Sequence, residues 1–244
     1  SVVLLHILPR LQAEAGFALA AAHVHHGLSP LADHWEAACA GHCVRLGVPF
    51  TVIRVTVARD HSQGLEAAAR LARYAALDAQ PADWLVLGHH QDDQAETLVF
   101  RLLRGTGLRG AGAMRRMERP ARGLPRLRPL LDFRRRDIEA WARTRGLAWV
   151  EDESNADPRY IRNLLRRDLL PAWEARFTGA VPALARAAGH FQEASDLLDE
   201  LAALDDAACG GGPWSLAAFA ALRMNAGIRK ALAGFRGVGR RFSK

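Results

Sequence analysis

The sequence predicts an α/β fold with a parallel sheet, followed by a smaller helical domain. Short apolar runs alternate with amphipathic, helix-length segments over roughly the first 100 residues. This order is typical of βαβ units, whose strands pair in parallel. We therefore expect an α/β domain over residues 1–115, a linker over 116–130, and a mainly helical region with a poorly defined basic tail over 131–244.

Each element of the first region is predicted from hydrophobic period and residue propensity. Ser1 precedes the apolar run VVLLHIL, which predicts an N-cap followed by a buried helix. The segment FTVIRVTV alternates and is rich in β-branched residues, as expected of a strand. The same criteria predict a strand over 17–25, a helix over 30–46, a strand over 50–57, a helix over 64–79, a strand over 84–88 and a helix over 92–103.

The second region begins with a stretch that shows no clear period. Residues 105–129 combine Gly, Pro and Arg, which indicates a linker or a mobile loop of the kind that carries function. Further along we expect a polar turn over 151–157 and a chain break at Gly210–Pro213. Helices are predicted over 132–145, 160–173 and 181–207, with a weakly helical and then basic segment after 215.

Composition restricts the classes of protein to which the chain can belong. The net charge of +7 and the pI near 10.3 indicate a polyanionic partner. No apolar run reaches bilayer-spanning length, so we expect no membrane association, and no signal peptide is expected. The 3 cysteines are an odd number without a Cys-x-x-Cys pair, which argues against a disulfide framework or a zinc ribbon and favours a cytoplasmic location.

Three carboxylates follow the third predicted strand, in the stretch LGHHQDDQAETLVFRLLRG. Asp92, Asp93 and Glu96 are spaced so that all three can share one side of the first helical turns. Ligands of parallel sheets bind beyond the carboxyl ends of the strands, where these residues are expected to lie. Carboxylates there can hold magnesium or orient an amine. The alternative interpretation is that they only cap the helix at its positive end.

A second predicted strand end is rich in histidine, in the stretch HVHHGLSP. Histidines at two strand ends permit a metallohydrolase, since imidazole is a common metal ligand. However, the adjacent His89 and His90 cannot both point into one pocket from a strand, because successive side chains alternate in direction. We therefore favour a nucleotide-dependent enzyme over a metallohydrolase.

Four segments carry a resemblance to a known family. GHHQDDQAETLVFRLLRGTGLRG resembles the long signature of the tRNA(Ile)-lysidine synthetases, which belong to the PP-loop ATP pyrophosphatase superfamily. HVHHGLSP resembles their second motif and GLEAAARLARYAAL their third. WVEDESNADPRYIRNLLRRDLLP is similar to the family's stretch after the linker. The resemblance implies an adenine nucleotide alpha hydrolase-like, Rossmann-like PP-loop domain that binds ATP.

The resemblance also implies a reaction and its partners. Members of the family use ATP, with Mg²⁺, to adenylate the C2 oxygen of the wobble cytidine of a tRNA(Ile) with a CAU anticodon, and pyrophosphate leaves. The ε-amine of free L-lysine then displaces AMP to give lysidine. A thiolase-like PP-loop enzyme and a non-catalytic RNA-binding remnant are the alternatives. The oligomeric state stays open, with a homodimer as one possibility.

The family's functional residues can be matched to positions in this chain, while the metal ligands stay unknown. The resemblance implies catalytic roles for Asp92, Asp93, Glu96 and Arg162, with Arg162 as the arginine that reaches back to the reacting centre. It implies ATP-binding roles for Ser1, His25, Gly27, His89 and Arg101. It implies tRNA-binding roles for Arg70, Arg73, Arg104, Asn155, Asn163, Arg166 and Arg167, of which Arg166 and Arg167 are equally well explained as a solvated helix face.

One departure from the family pattern concerns the ATP loop. The superfamily motif reads Ser-Gly-Gly-x-Asp-Ser between the first strand and the first helix, and only its last serine can match, as Ser1. The glycines of such a loop let backbone amides approach phosphate. We expect the chain to be a fragment or a shortened form. If it does begin at this serine, we expect poor ATP binding and an unstable sheet.

Overall fold

The computed structural model describes residues 1–58, 60, 64–150 and 161–208. The predicted polar turn over 151–157, the break at Gly210–Pro213 and the basic tail lie outside these residues. In the first half of the chain, helices and strands alternate as the sequence predicts. These elements are α1 (Val2–Ala15), β1 (Ala21–His25), α2 (Ala32–Leu46), β2 (Phe50–Arg54), α3 (Leu65–Asp78), β3 (Leu85–Val86) and α4 (Gln91–Leu103).

The described strands form parallel pairs, which confirms the predicted fold class. β1 pairs with β2 in parallel, with Ala21 opposite Phe50. β3 pairs in parallel with a further strand, β5 (Arg126–Leu127), and β4 (Met117–Glu118) adds to β5 antiparallel. The five strands of the described residues thus form a two-stranded sheet and a three-stranded sheet. In both sheets the helices that connect parallel strands bring the strand carboxyl ends to one edge.

The stretch predicted as a linker or a mobile loop contains short elements of regular structure. Besides β4 and β5, residues 105–129 include a short helix, α5 (Leu108–Ala111). Strands of two residues have no measurable hydrophobic period, so the pattern could not show them. The consequence for the site is direct, because β5 lies beside β3 and brings Arg128 to the same edge.

The second half of the described chain is helical, as predicted. It comprises α6 (Arg135–Thr144), α7 (Ile161–Leu164), a π-helical turn (Leu165–Leu169), α8 (Leu170–Arg176) and α9 (Ala180–Ala208). The sequence predicts one continuous helix through α7 and α8, but the structure interrupts it with the π-helical turn. Pro171 has no N–H to donate to the carbonyl of Arg167, so one regular helical bond is missing next to this turn.

The long helix α9 packs across α4 and α5. Buried alanines make the close approach possible, since Ala188 of α9 lies against Leu98 and Ala111. A second buried cluster joins Ala95 of α4 to Val181 of α9. Within the described part of the chain, no helix is long and apolar enough to cross a membrane, although α9 has 29 residues. This packing fixes the inner face of α4 and leaves the first turn of α4 at the sheet edge.

Candidate active site

The first turn of α4 begins directly after β3, as the sequence predicts. His90 is the N-cap residue, and its side chain accepts a hydrogen bond from the backbone N–H of Asp93 at 3.3 Å. In return the Asp93 carboxylate accepts a hydrogen bond from the His90 N–H at 3.0 Å. This reciprocal cap fixes the helix start. Ser1 lies at the same edge, because a Cβ placed on Gly88 would lie 3.1 Å from the Ser1 nitrogen.

Asp93 and Glu96 form a carboxylate pair that binds one arginine. The Arg166 guanidinium donates to both oxygens of Glu96, at 2.7 and 2.9 Å, and to Asp93 at 3.1 Å. The Glu96 side chain is only 4% exposed. Burial raises the pKa of Glu96, although Arg166 opposes this rise. A carboxyl group with a raised pKa is a candidate proton acceptor in a reaction near neutral pH.

Asp92 does not join this pair. Its carboxylate accepts a hydrogen bond from the backbone N–H of Arg135 at 2.7 Å and from the Arg134 guanidinium at 3.2 Å. Burial opposes ionisation, but these two donors outweigh it and lower the pKa of Asp92. Arg135 is the first residue of α6, whose own N-cap residue offers no side-chain acceptor. Asp92 therefore caps α6 from another part of the fold, while its catalytic role stays a prediction.

We expect replacement of Asp92 with alanine to lower the free energy of unfolding by about 2 kcal/mol. The first N–H of α6 would lose its acceptor, and among the described residues Arg134 would keep Glu174 as its charged partner, at 3.3 Å. Denaturant unfolding measures the effect. Asp92→Asn is the control, since its amide oxygen can still accept the Arg135 N–H and should recover at least half of the loss. An unchanged midpoint in Asp92→Ala would contradict the capping role.

His89 is held by Arg128, an arginine that was not predicted from the sequence to belong to the site. Arg128 follows β5 and donates its Nε–H to His89 Nδ1 at 3.3 Å. It also donates to the Arg115 carbonyl and to Glu118, both at 2.7 Å. Burial, with a smaller contribution from Arg128 and other arginines, lowers the pKa of His89 to about 4. The imidazole is therefore neutral near pH 7.

Several arginines converge beside His89 and supply positive potential. Arg70, Arg73 and Arg126 lie over the Tyr74 ring, at 5.0, 5.6 and 4.4 Å from its centroid. Burial lowers the pKa of Arg70, and neighbouring arginines including Arg162 lower it further. A group of guanidinium ions this close is stabilised when an anion binds among them. The site thus has a carboxylate side at α4 and a basic side around Tyr74.

The arginine that donates to the carboxylates in the described structure is Arg166, whereas Arg162 was predicted for that position. The catalytic role of Arg162 stays a prediction. Arg162 instead lies over the Phe100 ring at 5.8 Å, where Arg104 also stacks, at 5.2 Å. The π-helical turn carries Arg166, and periodicity alone does not predict which side of such a turn faces α4. Arg162 and Arg166 are four residues apart, so on a regular helix both would lie on the same face. The spacing therefore does not show which of the two contacts the carboxylates.

The structure gives other predicted residues a local role. Arg101 donates to the carbonyls of Gly110 and Ala113 at 3.0 and 2.8 Å, which ties α4 to α5. His25 contacts Asp33 at 3.1 Å at the end of β1. Gly27 has a φ of 65°, a left-handed conformation that favours glycine.

The remaining predicted tRNA contacts differ in exposure. Asn163 is buried and Arg167 is exposed. Asn155 lies outside the described residues. The functional roles of all these side chains stay predictions.

A cleft opens on the outer side of the carboxylates. Its volume is about 360 Å³, and Asp92, Glu96, Arg134, Arg166 and Glu174 are among its lining residues. Neither Arg134 nor Glu174 was predicted from the sequence to belong to a site. Arg134 stands in a run of three arginines at the start of α6, where a solvated face is the ordinary interpretation. Only the fold shows that Arg134 turns inward, to Asp92 and Glu174.

A family model described as the PP-loop domain matches residues 1–173. The chain belongs to the PP-loop domain family. It is 61% identical over 215 residues to a protein of Aromatoleum aromaticum named tRNA(Ile)-lysidine synthase, covering 88% of this chain and 50% of that protein. It is 55% identical over 223 residues to a protein of the same name from an Azoarcus species, covering 91% of this chain and 50% of that protein. The chain thus spans about half the length of the curated relatives it matches.

A solved structure supports the fold of this PP-loop domain. The chain is similar to the U34-tRNA thiolase NcsA from Methanococcus maripaludis, with a TM-score of 0.64 and 16% identity. The match covers 79% of this chain and 68% of that one. At this level of identity the similarity concerns the fold alone, which confirms the adenine nucleotide alpha hydrolase-like prediction.

Proposed function

We propose that this PP-loop domain belongs to an enzyme that joins lysine to C2 of the wobble cytidine of tRNA(Ile) with a CAU anticodon. ATP first adenylates the C2 oxygen and pyrophosphate leaves. The ε-amine of free L-lysine then forms a bond to C2, and AMP leaves with the oxygen. The name shared by the two close relatives supports this assignment.

The observation that carries the proposal is the pairing of two carboxylates with Arg166 beside a group of arginines. Asp93 and Glu96 accept three hydrogen bonds from Arg166, yet two carboxylates offer about eight lone-pair positions. They can therefore also accept an ammonium group. The raised pKa of Glu96, caused by burial, makes this carboxyl a suitable acceptor for the proton that the amine must lose before attack.

The basic side of the site suits the other two substrates. Adenylation places the phosphates of ATP next to an RNA loop, and both carry negative charge. Arg70 and Arg73 lie close to Arg128 and His89, and a guanidinium group can form two hydrogen bonds to one phosphate. The target base must leave its stack to be reached, as bases in RNA loops can.

Magnesium is expected to arrive with the nucleotide, not on a prebuilt protein site. Each carboxylate at the first turn of α4 already binds an arginine guanidinium in the described structure. This donor set does not fit a divalent cation held by the protein alone.

The thiolase alternative finds little support in the described cysteines. Cys39 and Cys43 both lie on α2, and burial raises the pKa of each thiol. A thiolate is the reactive form of cysteine, so these two thiols are poor nucleophiles. The third cysteine, Cys209, lies outside the described residues. A cytoplasmic location and a homodimer stay predictions.

The experiment that tests the proposal measures pyrophosphate release and label incorporation together. The full-length protein is incubated with ATP, transcribed tRNA(Ile) and radiolabelled lysine, and the tRNA is then digested to nucleosides. Label on the wobble nucleoside supports the proposal. Binding of the tRNA with no label attached refutes it, and sulfur incorporation would favour the thiolase.

We expect Arg104→Ala to weaken tRNA binding and to reduce its dependence on salt. Arg104 is exposed at the end of α4 and stacks on Phe100, so its charge is available to a phosphate. Loss of one phosphate contact lowers the slope of log K against log salt by roughly 0.7 to 0.9. Arg54→Ala is the control, because Glu36 already pairs with that arginine at 2.9 Å. An unchanged slope for Arg104→Ala would exclude the contact.

A further inference from the structure

Arg128 is a buried arginine, and each of its three guanidinium nitrogens donates a hydrogen bond. Its side chain is 4% exposed, and Glu118 compensates its charge at 2.7 Å. Burying an arginine is unfavourable unless each donor finds an acceptor. The Arg115 carbonyl and His89 Nδ1 provide the other two acceptors. Three hydrogen bonds thus fix the position of the Arg128 guanidinium, and one of them is made to His89.

This contact fixes the protonation of the imidazole. An arginine Nε–H can only donate, so His89 Nδ1 must present a lone pair, and the single proton of the neutral ring lies on Nε2. A protonated ring would bring an N–H on Nδ1 against the N–H of Arg128. Burial is the main cause that keeps the ring neutral, with Arg128, Arg70 and Arg73 adding to it and Asp93 opposing it.

The Nε2 atom of His89 is available to a ligand. His89 follows β3 at the sheet edge and immediately precedes His90, the N-cap residue of α4. Among the described residues, the hydrogen bond from Arg128 is the one found for this imidazole, and Nε2–H has no acceptor there. The charges that surround the ring are mostly positive, so an incoming acceptor is favoured when it is an anion.

We propose that Arg128 is a positioning residue that holds His89 as a neutral Nε2–H donor for an anionic phosphate oxygen. The inference rests on the proposed function for the presence of phosphate at this edge. A neutral donor adds a directed hydrogen bond among Arg70, Arg73 and Arg128 without adding a fourth positive charge that would repel them. Both ATP and the tRNA can supply the oxygen.

The first test needs no substitution. The full chain, labelled with ¹⁵N-histidine, is studied by NMR at pH 7, and the His89 signals are assigned from their loss in His89→Asn. We expect an unprotonated Nδ1 and a protonated Nε2 in the free protein. ATP and tRNA are then added separately, and a shift of the Nε2–H signal with either one identifies the source of the phosphate. Protonation on Nδ1, or a signal that neither ligand moves, overturns the proposal.

The second test compares Arg128, which follows β5, with an arginine that follows the neighbouring strand β4. In Arg128→Met the pKa of His89 should rise by about one unit, because a nearby positive charge is gone while burial remains. The proton should then distribute over both ring nitrogens, and ATP affinity should fall roughly tenfold. Arg119→Met is the control: Arg119 is exposed and lies over the Trp84 ring at 5.0 Å, and its loss should leave the His89 tautomer unchanged.

The outcomes separate the two proposals. An unchanged tautomer and pKa in Arg128→Met refute the positioning role, whatever the enzyme does. If the imidazole responds to ATP as expected but lysine is never attached to tRNA, only the proposed function fails. Should Arg128→Met not fold, the wild-type measurement above still decides.

Discussion

Glu96→Gln is expected to reduce lysine attachment by at least about 100-fold while the fold stays intact. The amide keeps the shape of the side chain and one acceptor for Arg166, but it cannot take a proton from the attacking amine. Glu96 is buried at the start of α4 with a pKa raised by burial, which suits it to that proton transfer. Single-turnover incorporation of labelled lysine measures the effect.

Separating the two half-reactions sharpens this result. Adenylation releases pyrophosphate before the amine attacks, so Glu96→Gln should retain more pyrophosphate release than lysine attachment. Glu66→Gln is the control, since Glu66 is exposed on α3 and lies away from the carboxylate pair. Turnover in Glu96→Gln close to that of Glu66→Gln would remove Glu96 from the reacting centre.

Arg166→Leu is expected to destabilise the protein by about 3 kcal/mol at pH 8. The substitution leaves the buried Glu96 carboxylate without its two hydrogen bonds and Asp93 without one. Breaking a buried ion pair from one side costs about 3–5 kcal/mol, and the lower value applies because Arg166 is 27% exposed. Chemical denaturation at several pH values measures the loss.

The pH dependence of this variant has a definite sign. Without Arg166, burial is opposed less, so the pKa of Glu96, already raised above its ordinary value, rises further in the folded state. The folded state then binds more protons, and stability falls as pH rises between the ordinary pKa and the folded-state pKa. We therefore expect a smaller difference from the wild type at pH 5 than at pH 8.

A control substitution separates this effect from a general loss of charge. Arg186→Ala removes an exposed arginine of α9 and should change stability by no more than about 0.5 kcal/mol at either pH. If Arg166→Leu were equally harmless, or equally destabilised at both pH values, Arg166 would not be compensating a buried carboxylate.

Elements long enough to show a hydrophobic period were predictable from the amino-acid sequence. The helix that carries Asp93 and Glu96 follows from its buried Ala95, Leu98 and Val99, which repeat at helical spacing. The parallel pairing of the strands follows from their alternation with helices. Even the start of α4 was foreseen to within about one residue, because a capping carboxylate follows an apolar strand.

Elements without a period were not predictable. β4 and β5 have two residues each, and their strand conformation depends on pairing with β3 and with each other. Arg128 reaches His89 because β5 lies beside β3, at a separation of 39 residues along the chain. No local pattern encodes such a contact.

The amino-acid sequence by itself determined the fold class, the position of the carboxylates at a strand end, and the basic character of the chain. Tertiary structure alone decided how those carboxylates are divided, with Asp92 capping α6 while Asp93 and Glu96 bind Arg166. The physical reason is that periodicity reports which face of an element is buried. The partner of a buried charge, in contrast, depends on which distant donors the packing of β5, α6 and the π-helical turn brings within hydrogen-bond distance.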